Sequence, residues 1–467
     1  MAGEPLTTVD AARLDQLLQS AGLELPEGAS IHVTGEDPVF ATRFPIGELA
    51  ASALAICGAQ AARLWELRAG KGQAVRVDVR AAAASLLSFA YLRINGQARE
   101  REAARNPCVA LYECGDGRWI HLHGAHPKLR DATLDVLGCE FDRESIAAAV
   151  RRWNAQELED ALAERLTCGA MVRTASEWLE HEQGQALAGK PFVELIKVGE
   201  SEPEPLAAGS APLSGVRVLD LTRVLAGPTC GRTLAQHGAD VLHISSPHLP
   251  SSELFDIDTG HGKRSAFVDL DEPDGPERLR SLLGGADVFI DGSRSGALER
   301  RGFGLDDAVA QRPGLIVVSI NCYGHEGPWV RRPGWEQLAQ SVAGIAAAQG
   351  TPERPQLLPA AACDYTTGYL AAFGAMAALE RRAKEGGSWH VRTSLSQTAM
   401  WIERPGARCD PASASGVGDP SDLLIESQTP FGVVRHLRPA VELPESPARW
   451  ERPTVPHGFD EPAWAGS

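Results

Sequence analysis

The sequence lacks the short motifs that mark many catalytic and metal-binding sites. Its nine cysteines form no C-x-x-C pair, and its thirteen histidines include no H-E-x-x-H. No G-x-S-x-G marks a nucleophilic serine, and no G-x-G-x-x-G marks a classical dinucleotide-binding turn. His123 and His126 in "HLHGAH" have no further ligands nearby, so we interpret them as polar residues at a strand end. We therefore expect no bound metal and no serine-hydrolase chemistry.

Long apolar runs are also missing. The Ala-rich stretch 47–62 is too short to span a bilayer and is followed by Arg63. The first residues, "MAGEPLTTVDAARLDQLL", contain acids and do not resemble a signal peptide. The odd number of cysteines, without a disulfide spacing pattern, suits reduced thiols. We expect a soluble, cytoplasmic protein that is not associated with a membrane.

Positive charge is scarce, because the formal net charge is -16. This balance argues against a protein that binds the nucleic acid backbone, and an anionic ligand would need a local basic pocket. Several basic residues of the second half follow predicted strands, where a phosphate-bearing ligand would lie, although each could equally be a solvated surface charge. They are Lys263, Arg264, Arg294, Arg300, Arg301, Arg331 and Arg332.

A length of 467 residues exceeds what one hydrophobic core usually organises, so we expect two domains. A predicted hairpin, "CVALYECGDGRWIHLH", and a helical pattern over 126–183 indicate a smaller α+β domain at about 100–200. The predicted division is an N-terminal extension at 1–40 with a helix at 9–22, a first region at 41–200, a linker at 201–212, a catalytic domain at 213–404 and a Pro-rich wrapping tail at 405–467.

Strands and helices alternate after the linker, which predicts an α/β fold with a doubly wound, mostly parallel sheet. Ligands of such sheets bind outside the carboxyl ends of the strands. The turn after "VRVLDLT" is one such place. Its Gly227-Pro228 pair fits a functional turn and equally fits a turn needed for folding alone.

One helical sequence occurs twice in the chain. "GELAASALAICGAQAARLWELR" begins at Gly47, and "GYLAAFGAMAALERR" begins at Gly368. Four residues before the glycine, the first copy has Arg43 and the second has Asp364. A carboxylate near a helix N-terminus is stabilised by free N–H groups and the helix dipole. Asp364 is therefore either a catalytic candidate or a routine N-cap or first-turn acid.

Several motifs of the second half, in order, resemble the class III (family III) CoA-transferases, a family related to formyl-CoA transferase and α-methylacyl-CoA racemase. They are "LSGVRVLDLTRVLAGPTCGRTLAQHGADVLHI", "GKRSAFVDLDEPDG", "ADVFIDGSRSGALERRGFG", "SINCYGHEGPWVRRPGWEQLAQSVAG" and "CDYTTGYLAAFGAMAALERR". The first half resembles the later part of the same family. The order implies a duplication that was permuted and trimmed, in which Arg43 makes the first copy of the helix catalytically dead.

The resemblance implies a Rossmann-like large domain and a CoA-transferase that uses Asp364 as its nucleophile. It implies CoA or acyl-CoA as a substrate, no permanently bound cofactor, a carboxylic acid as second substrate and a homodimer. Residues implied to contact CoA are Leu225, Ala226, Lys263, Arg264, Gly292, Ser293, Arg294, Arg300, Arg301 and Trp335.

Two departures from the family pattern bear on alternative functions. "DGSRSG" stands where the family often has E-N-F-R-P-G, so a non-catalytic CoA-binding relative is one alternative. An acyl-CoA racemase of the same family is another. Trp335 stands where the racemases have a proton-transferring histidine, and an indole cannot shuttle a proton, which disfavours racemisation.

Overall fold

The computed structural model describes residues 31–99, 105–404 and 408–465. The helix predicted at 9–22 lies outside these residues. The strands, in chain order, are β1 (Ile31–Thr34), β2 (Val75–Asp78), β3 (Arg93–Ile94), β4 (Gln97–Ala98), β5 (Val109–Glu113), β6 (Trp119–His123), β7 (Gly169–Met171), β8 (Glu194–Gly199), β9 (Arg217–Asp220), β10 (Asp240–Ser245), β11 (Lys263–Phe267), β12 (Val288–Asp291), β13 (Ile316–Asn321), β14 (Ser388–Ser394), β15 (Leu424–Thr429), β16 (Gly432–Leu437) and β17 (Val441–Glu442).

The α-helices in the same residues alternate with these strands. They are α1 (Ile46–Ala69), α2 (Val79–Ser85), α3 (Pro127–Leu137), α4 (Arg143–Val150), α5 (Ala155–Glu164), α6 (Ala175–Glu180), α7 (Glu182–Ala188), α8 (Ala226–Gln236), α9 (Glu253–Thr259), α10 (Gly275–Gly284), α11 (Leu305–Gln311), α12 (Glu336–Val342), α13 (Ile345–Gln349), α14 (Ala362–Glu385) and α15 (Leu395–Glu403). None of the described helices is both long and apolar enough to cross a membrane.

The largest sheet of the described residues has seven strands in the order β11-β10-β9-β12-β13-β14-β8. Neighbouring strands from β11 to β14 are parallel, and β8 is antiparallel to β14 at the edge. The order of the six parallel strands reverses between β9 and β12, which is the topological switch point of a doubly wound sheet. The predicted fold class is therefore confirmed.

The two copies of the repeated helix, α1 and α14, are neighbours in the core. Each has 24 residues and is rich in alanine. Toward the end of the contact, the Gln60 amide donates a hydrogen bond to the Glu380 carboxylate at 2.7 Å, and Arg63 forms an ion pair with the same carboxylate. The repeat seen in the sequence is thus a packing contact in the fold.

The smaller α+β region differs from the sequence prediction in two places. The pattern over 126–183 predicted helices throughout, but β7 interrupts it and pairs with β6. A Cβ atom at Gly169 in β7 would lie 2.3 Å from the Leu162 side chain, so α5 packs directly on this strand. Glu194–Gly199 lies within the limits predicted for the small domain, yet as β8 it joins the large sheet.

The tail after residue 408 contains strands that its Pro-rich composition did not predict. β16 pairs with β3, and β17 pairs with β2, so the tail is joined to the first half. Its last part covers the free edge of β11. There the Asp460 N–H donates to the Ser265 carbonyl at 2.7 Å, and the Ser265 N–H donates to the Asp460 carboxylate at 2.8 Å. The backbone N–H and C=O groups of Ser265, at the edge strand of the large sheet, thereby gain hydrogen-bond partners.

Candidate active site

Asp364 lies in the first turn of α14, with 8% of its surface exposed. The N-cap residue of this helix is Ala361, which offers no capping side chain. The interpretation of Asp364 as an N-cap is therefore wrong, whereas its place in the first turn is as expected. The free N–H groups at the start of this helix therefore need a hydrogen-bond acceptor from another part of the chain.

That acceptor is Glu336, the first residue of α12, which is 4% exposed. One carboxylate oxygen accepts the Cys363 N–H at 3.1 Å and a hydrogen bond from the Gln340 amide at 2.6 Å. The other oxygen accepts the Asp364 N–H at 2.5 Å. Burial raises the pKa of Glu336, and these donors partly offset that effect. An acid from α12 thus holds the start of the helix that carries Asp364.

Gly368 brings α14 against the start of α8. A Cβ atom at Gly368 would lie 2.6 Å from the Ala226 carbonyl oxygen and 2.6 Å from Cβ of Thr229. Only a residue without a side chain permits this approach. Because α8 begins just after β9, the contact places Asp364 beside the turn at the switch point of the sheet, where the sequence analysis expected a ligand.

A cavity of about 1130 Å³ opens at Asp364. The second half of the chain contributes Leu225, Trp335 and Glu336 to its wall. The first half contributes side chains from the segment after α2 and from the smaller α+β region, namely Leu87, Phe89, Arg99, Arg105, Asn106, Val109, His123, His126 and Phe141. Both halves of the chain therefore contribute to the wall among the described residues.

Trp335 is half-buried in this cavity between two histidines. Its ring stacks on His123 with centroids 4.7 Å apart and lies 5.3 Å from the ring of His126. Burial lowers the pKa of His126, and the charges of Arg223 and Arg294 lower it further. His123 ends β6 as predicted, whereas His126 directly precedes α3 instead of ending a strand. Sequence reasoning did not predict that both histidines line the same cavity as Asp364.

Lys263 and Arg264, two of the residues implied to contact CoA, are engaged in ion pairs instead of lining this cavity. The buried Lys263 ammonium lies 2.8 Å from the Asp220 carboxylate and donates to the Pro228 carbonyl at 2.8 Å. Arg264 donates to both carboxylate oxygens of Asp240. The Arg264 pair joins the neighbouring strands β11 and β10, and the Lys263 pair links β11 to β9 on the far side of β10. Both side chains therefore stabilise the large sheet.

The loop after β12 contains Gly292, Ser293 and Arg294 and abuts the end of β9. A Cβ atom at Gly292 would lie 3.3 Å from the Thr222 side chain. Arg294 is exposed, and no ion pair joins it to another described residue. Further along, Arg300 is exposed in the same way, whereas Arg301 donates to Asp271 at 2.8 Å. The loop therefore presents cationic side chains near the switch point, outside the cavity wall.

Glu336 is the site residue that sequence reasoning missed. Its only sequence signal is that it follows Trp335 in "PGWEQLAQ", a stretch that we had compared with the histidine motif of the racemases. No group of three or more potential metal ligands occurs among the described residues.

The chain belongs to CoA-transferase family III. The family model matches residues 15–203 and 213–435, so the two copies of the repeated helix fall in separate matched segments. The resemblance noted from the sequence motifs is thereby confirmed.

Two curated relatives and one solved structure illustrate the similarity. The chain is 33% identical over 333 residues to an acyl-CoA transferase from Gibberella moniliformis, covering 64% of this chain and 58% of the relative. It is 32% identical over 322 residues to the acetyl-coenzyme A transferase nodX from Hypoxylon pulicicidum, covering 63% of this chain and 54% of the relative. A CAIB/BAIF family protein from Brucella suis is 29% identical with a TM-score of 0.40, covering 48% of this chain and 65% of that one. The chain thus spans somewhat more than half the length of these two curated relatives.

Proposed function

We propose that this protein is a CoA-transferase that moves CoA between carboxylic acids through a covalent intermediate on Asp364. The observation that carries the proposal is the position of this carboxylate in the wall of the cavity of about 1130 Å³, at the switch point of the sheet. Membership of the family and the similarity to named CoA-transferases support it.

The first half of the reaction transfers CoA to the enzyme. An oxygen of the Asp364 carboxylate attacks the thioester carbonyl carbon of an acyl-CoA, the C–S bond breaks, and the CoA thiolate leaves with the electron pair. The product is a mixed anhydride. The thiolate then attacks the aspartyl carbonyl carbon and expels the donor acid as a carboxylate, which leaves an aspartyl-CoA thioester. No proton or electron is gained or lost overall.

The second half repeats these steps with the acceptor acid. Its carboxylate attacks the aspartyl thioester, and CoA thiolate leaves again. The thiolate attacks the acceptor carbonyl of the new anhydride, which gives the acceptor acyl-CoA and restores the Asp364 carboxylate. Such covalent catalysis divides one difficult exchange into easier steps.

CoA contacts follow from the same proposal. Leu225 and Ala226 start α8 beside Asp364, and Trp335 stands in the cavity wall. Arg294 and Arg300 are exposed cations that suit phosphate groups. Contacts of the loop residues Gly292 and Ser293 rest on the resemblance, as do those of the three basic side chains that are already paired, Lys263, Arg264 and Arg301.

A racemase is the second candidate, because His123 and His126 lie against Trp335 in the same cavity as Asp364. A racemase needs groups that remove and return the α-hydrogen of the acyl chain. Exchange of that hydrogen of a 2-methylacyl-CoA with heavy water would favour racemisation. Its absence would favour transfer.

We further propose a cytoplasmic homodimer. All nine cysteines lie in described residues and none of them is in a disulfide, which suits a reducing compartment. The homodimer rests on the family resemblance. The proposed domain division places the catalytic unit at 213–404, assisted by α1 and the tail.

The proposal is tested by the exchange of labelled CoA between an acyl-CoA and a panel of carboxylic acids. The Asp364→Ala and Asp364→Asn proteins should be inactive yet folded, because both remove the nucleophilic oxygen pair. Asp135→Asn, a change at an exposed surface position, is the matched control and should retain activity. Turnover that survives in the Asp364→Ala protein would refute the proposal.

A further inference from the structure

The wall of the cavity beside Asp364 includes a set of apolar side chains. They come from three segments of the chain: one after α2, one in α9 and one after α13. The side chains that they contribute are Leu87, Phe89, Leu254, Phe255, Leu357 and Leu358. Apolar walls of this kind gain free energy when they bury apolar ligand surface.

Two rings form the centre of this wall. Phe89 and Phe255 meet edge to face with their centroids 5.0 Å apart. Phe89 also lies nearly parallel to Tyr365, at 6.4 Å and 14°. Tyr365 directly follows Asp364 in α14, and both phenylalanine rings line the same cavity as Asp364, the residue that attacks the thioester in the proposed reaction.

A buried polar network fixes the ring pair. The Tyr365 hydroxyl donates to the Asp258 carboxylate at 2.8 Å and accepts the Phe89 N–H at 3.3 Å. Arg232 pairs with the same carboxylate at 3.0 Å. The Ser88 hydroxyl donates to it at 2.5 Å. The short 3-10 helix Ser88–Tyr91, which carries Phe89, is therefore tied to both α9 and α14. The ring pair is thus in place before a ligand binds.

Charged groups make this wall unsuitable for a second carboxylate. Among the described lining residues, the only arginines or lysines are Arg99 and Arg105, and both are exposed. Arg99 already lies 3.9 Å from the Glu253 carboxylate. The buried acids of the lining are Asp364 and Glu336. A ligand carboxylate buried against the rings would lose its water without gaining a cation and would face two acids.

We infer that the acyl group accepted by this site is uncharged and apolar, an aliphatic or aryl group that packs on Phe89 and Phe255. The inference rests on the proposed CoA-transferase function and names the substrate class of the same cavity. A dicarboxylic acyl group is disfavoured because the arginines of the described lining, Arg99 and Arg105, are exposed rather than buried beside the rings, and a short acyl group such as acetyl leaves the ring pair uncovered.

The test compares hexanoyl-CoA with adipoyl-CoA, which has the same chain length and a terminal carboxylate. We expect kcat/KM for hexanoyl-CoA to exceed that for adipoyl-CoA by at least about tenfold, because the terminal carboxylate is buried unpaired. From acetyl to hexanoyl, kcat/KM should rise by up to about fourfold per methylene. Equal values, or a preference for adipoyl-CoA, would overturn the inference while leaving transfer through Asp364 intact.

Variants of Phe255 test whether the ring pair causes the preference for hexanoyl-CoA over acetyl-CoA. Phe255→Ala should lower the ratio of hexanoyl-CoA to acetyl-CoA kcat/KM by about tenfold, since the acyl chain loses part of its contact surface. Phe255→Leu should lower it less. Phe459→Ala removes a ring that is 58% exposed and outside the cavity, so it should not change the ratio. An unchanged ratio in the folded Phe255→Ala protein would contradict the assignment.

A binding experiment distinguishes failure of the proposed transferase function from failure of the apolar pocket. If no donor supports exchange, calorimetry can still compare the binding of hexanoyl-CoA and adipoyl-CoA to the wild-type protein. Tighter binding of hexanoyl-CoA would retain the apolar pocket and discard the transferase. Equal or weaker binding would discard the pocket as well.

Discussion

The Glu336 carboxylate accepts the backbone N–H of Asp364, so one buried acid holds the turn that carries the other. Glu336 comes from α12 and also accepts the N–H of Cys363 at 3.1 Å. Its two oxygens replace the capping side chain that Ala361 lacks. The position of the proposed nucleophile therefore depends on a residue far from it in the sequence.

Replacing Glu336 by Gln should loosen this turn. The amide has one oxygen where the carboxylate has two, so one of the two N–H groups loses its acceptor. We expect a loss of about 1–3 kcal/mol in the free energy of unfolding and a fall in kcat for CoA exchange. Urea unfolding and exchange kinetics measure both. A variant with wild-type stability and wild-type kcat would show that the cap does not position Asp364.

Replacing Gly368 by Ala should force α14 away from α8. The added Cβ would lie 2.6 Å from the Ala226 carbonyl oxygen, which is backbone and cannot turn aside. Overpacking of this kind costs about 1–3 kcal/mol. Gly189→Ala is the matched control, because a Cβ there meets nothing within 4 Å. If both variants unfold at the same urea concentration as the wild type, the close approach of the two helices is not required.

Replacing Lys263 by Met should destabilise the large sheet. The change leaves the Asp220 carboxylate buried without its partner, and breaking a buried pair in this way costs about 3–5 kcal/mol. Lys128→Met, at an exposed position, should change the free energy of unfolding by less than about 0.5 kcal/mol. A Lys263→Met protein that is as stable as the wild type but binds CoA weakly would favour the ligand role implied by the resemblance.

Stability should fall as the pH falls below neutral. Burial lowers the pKa of His121 to about 3 and that of His237 to about 4. The unfolded chain therefore binds more protons than the folded protein between the ordinary histidine pKa of about 6.5 and those values. Each histidine should remove about 1.4 kcal/mol per pH unit over the steepest part of this range.

Urea unfolding at several pH values from about 7 to about 5 measures this slope. His237→Gln should make the slope shallower, whereas His248→Gln should not, because the side chain of His248 is 79% exposed. A free energy of unfolding that stays constant or rises as the pH falls would contradict the effect of the buried histidines.

The alternation of strands and helices was sufficient to predict the doubly wound sheet, because parallel strands buried on both faces give near-continuous apolar runs such as "LIVVSI". β7 was missed since its three residues give no usable period, and only the contact with Leu162 shows why Gly169 is needed. The sequence analysis did not predict that β8 joins the large sheet, because pairing between strands that are distant in the sequence leaves no local signal.

Asp364 was singled out because its helical sequence occurs twice and only one copy has an acid at that position, and the resemblance to the family supplied its proposed role as nucleophile. Glu336, Phe89 and Phe255 were not found, since each gains its role from a contact between segments that are distant in the sequence. Lys263 and Arg264 show the converse. They were predicted among the basic residues that could meet a phosphate-bearing ligand, but Arg264 pairs with Asp240 of the adjacent strand β10 and Lys263 pairs with Asp220 of β9.

The covalent intermediate is the central claim, and trapping it is the most direct test. The protein would be incubated with a mixture of acyl-CoAs, digested, and the peptide containing Asp364 analysed by mass spectrometry. The account predicts an acyl or CoA mass on Asp364 that hydroxylamine removes and that the Asp364→Asn protein never forms. An adduct on another residue, or measurable CoA exchange without any adduct on Asp364, would contradict it.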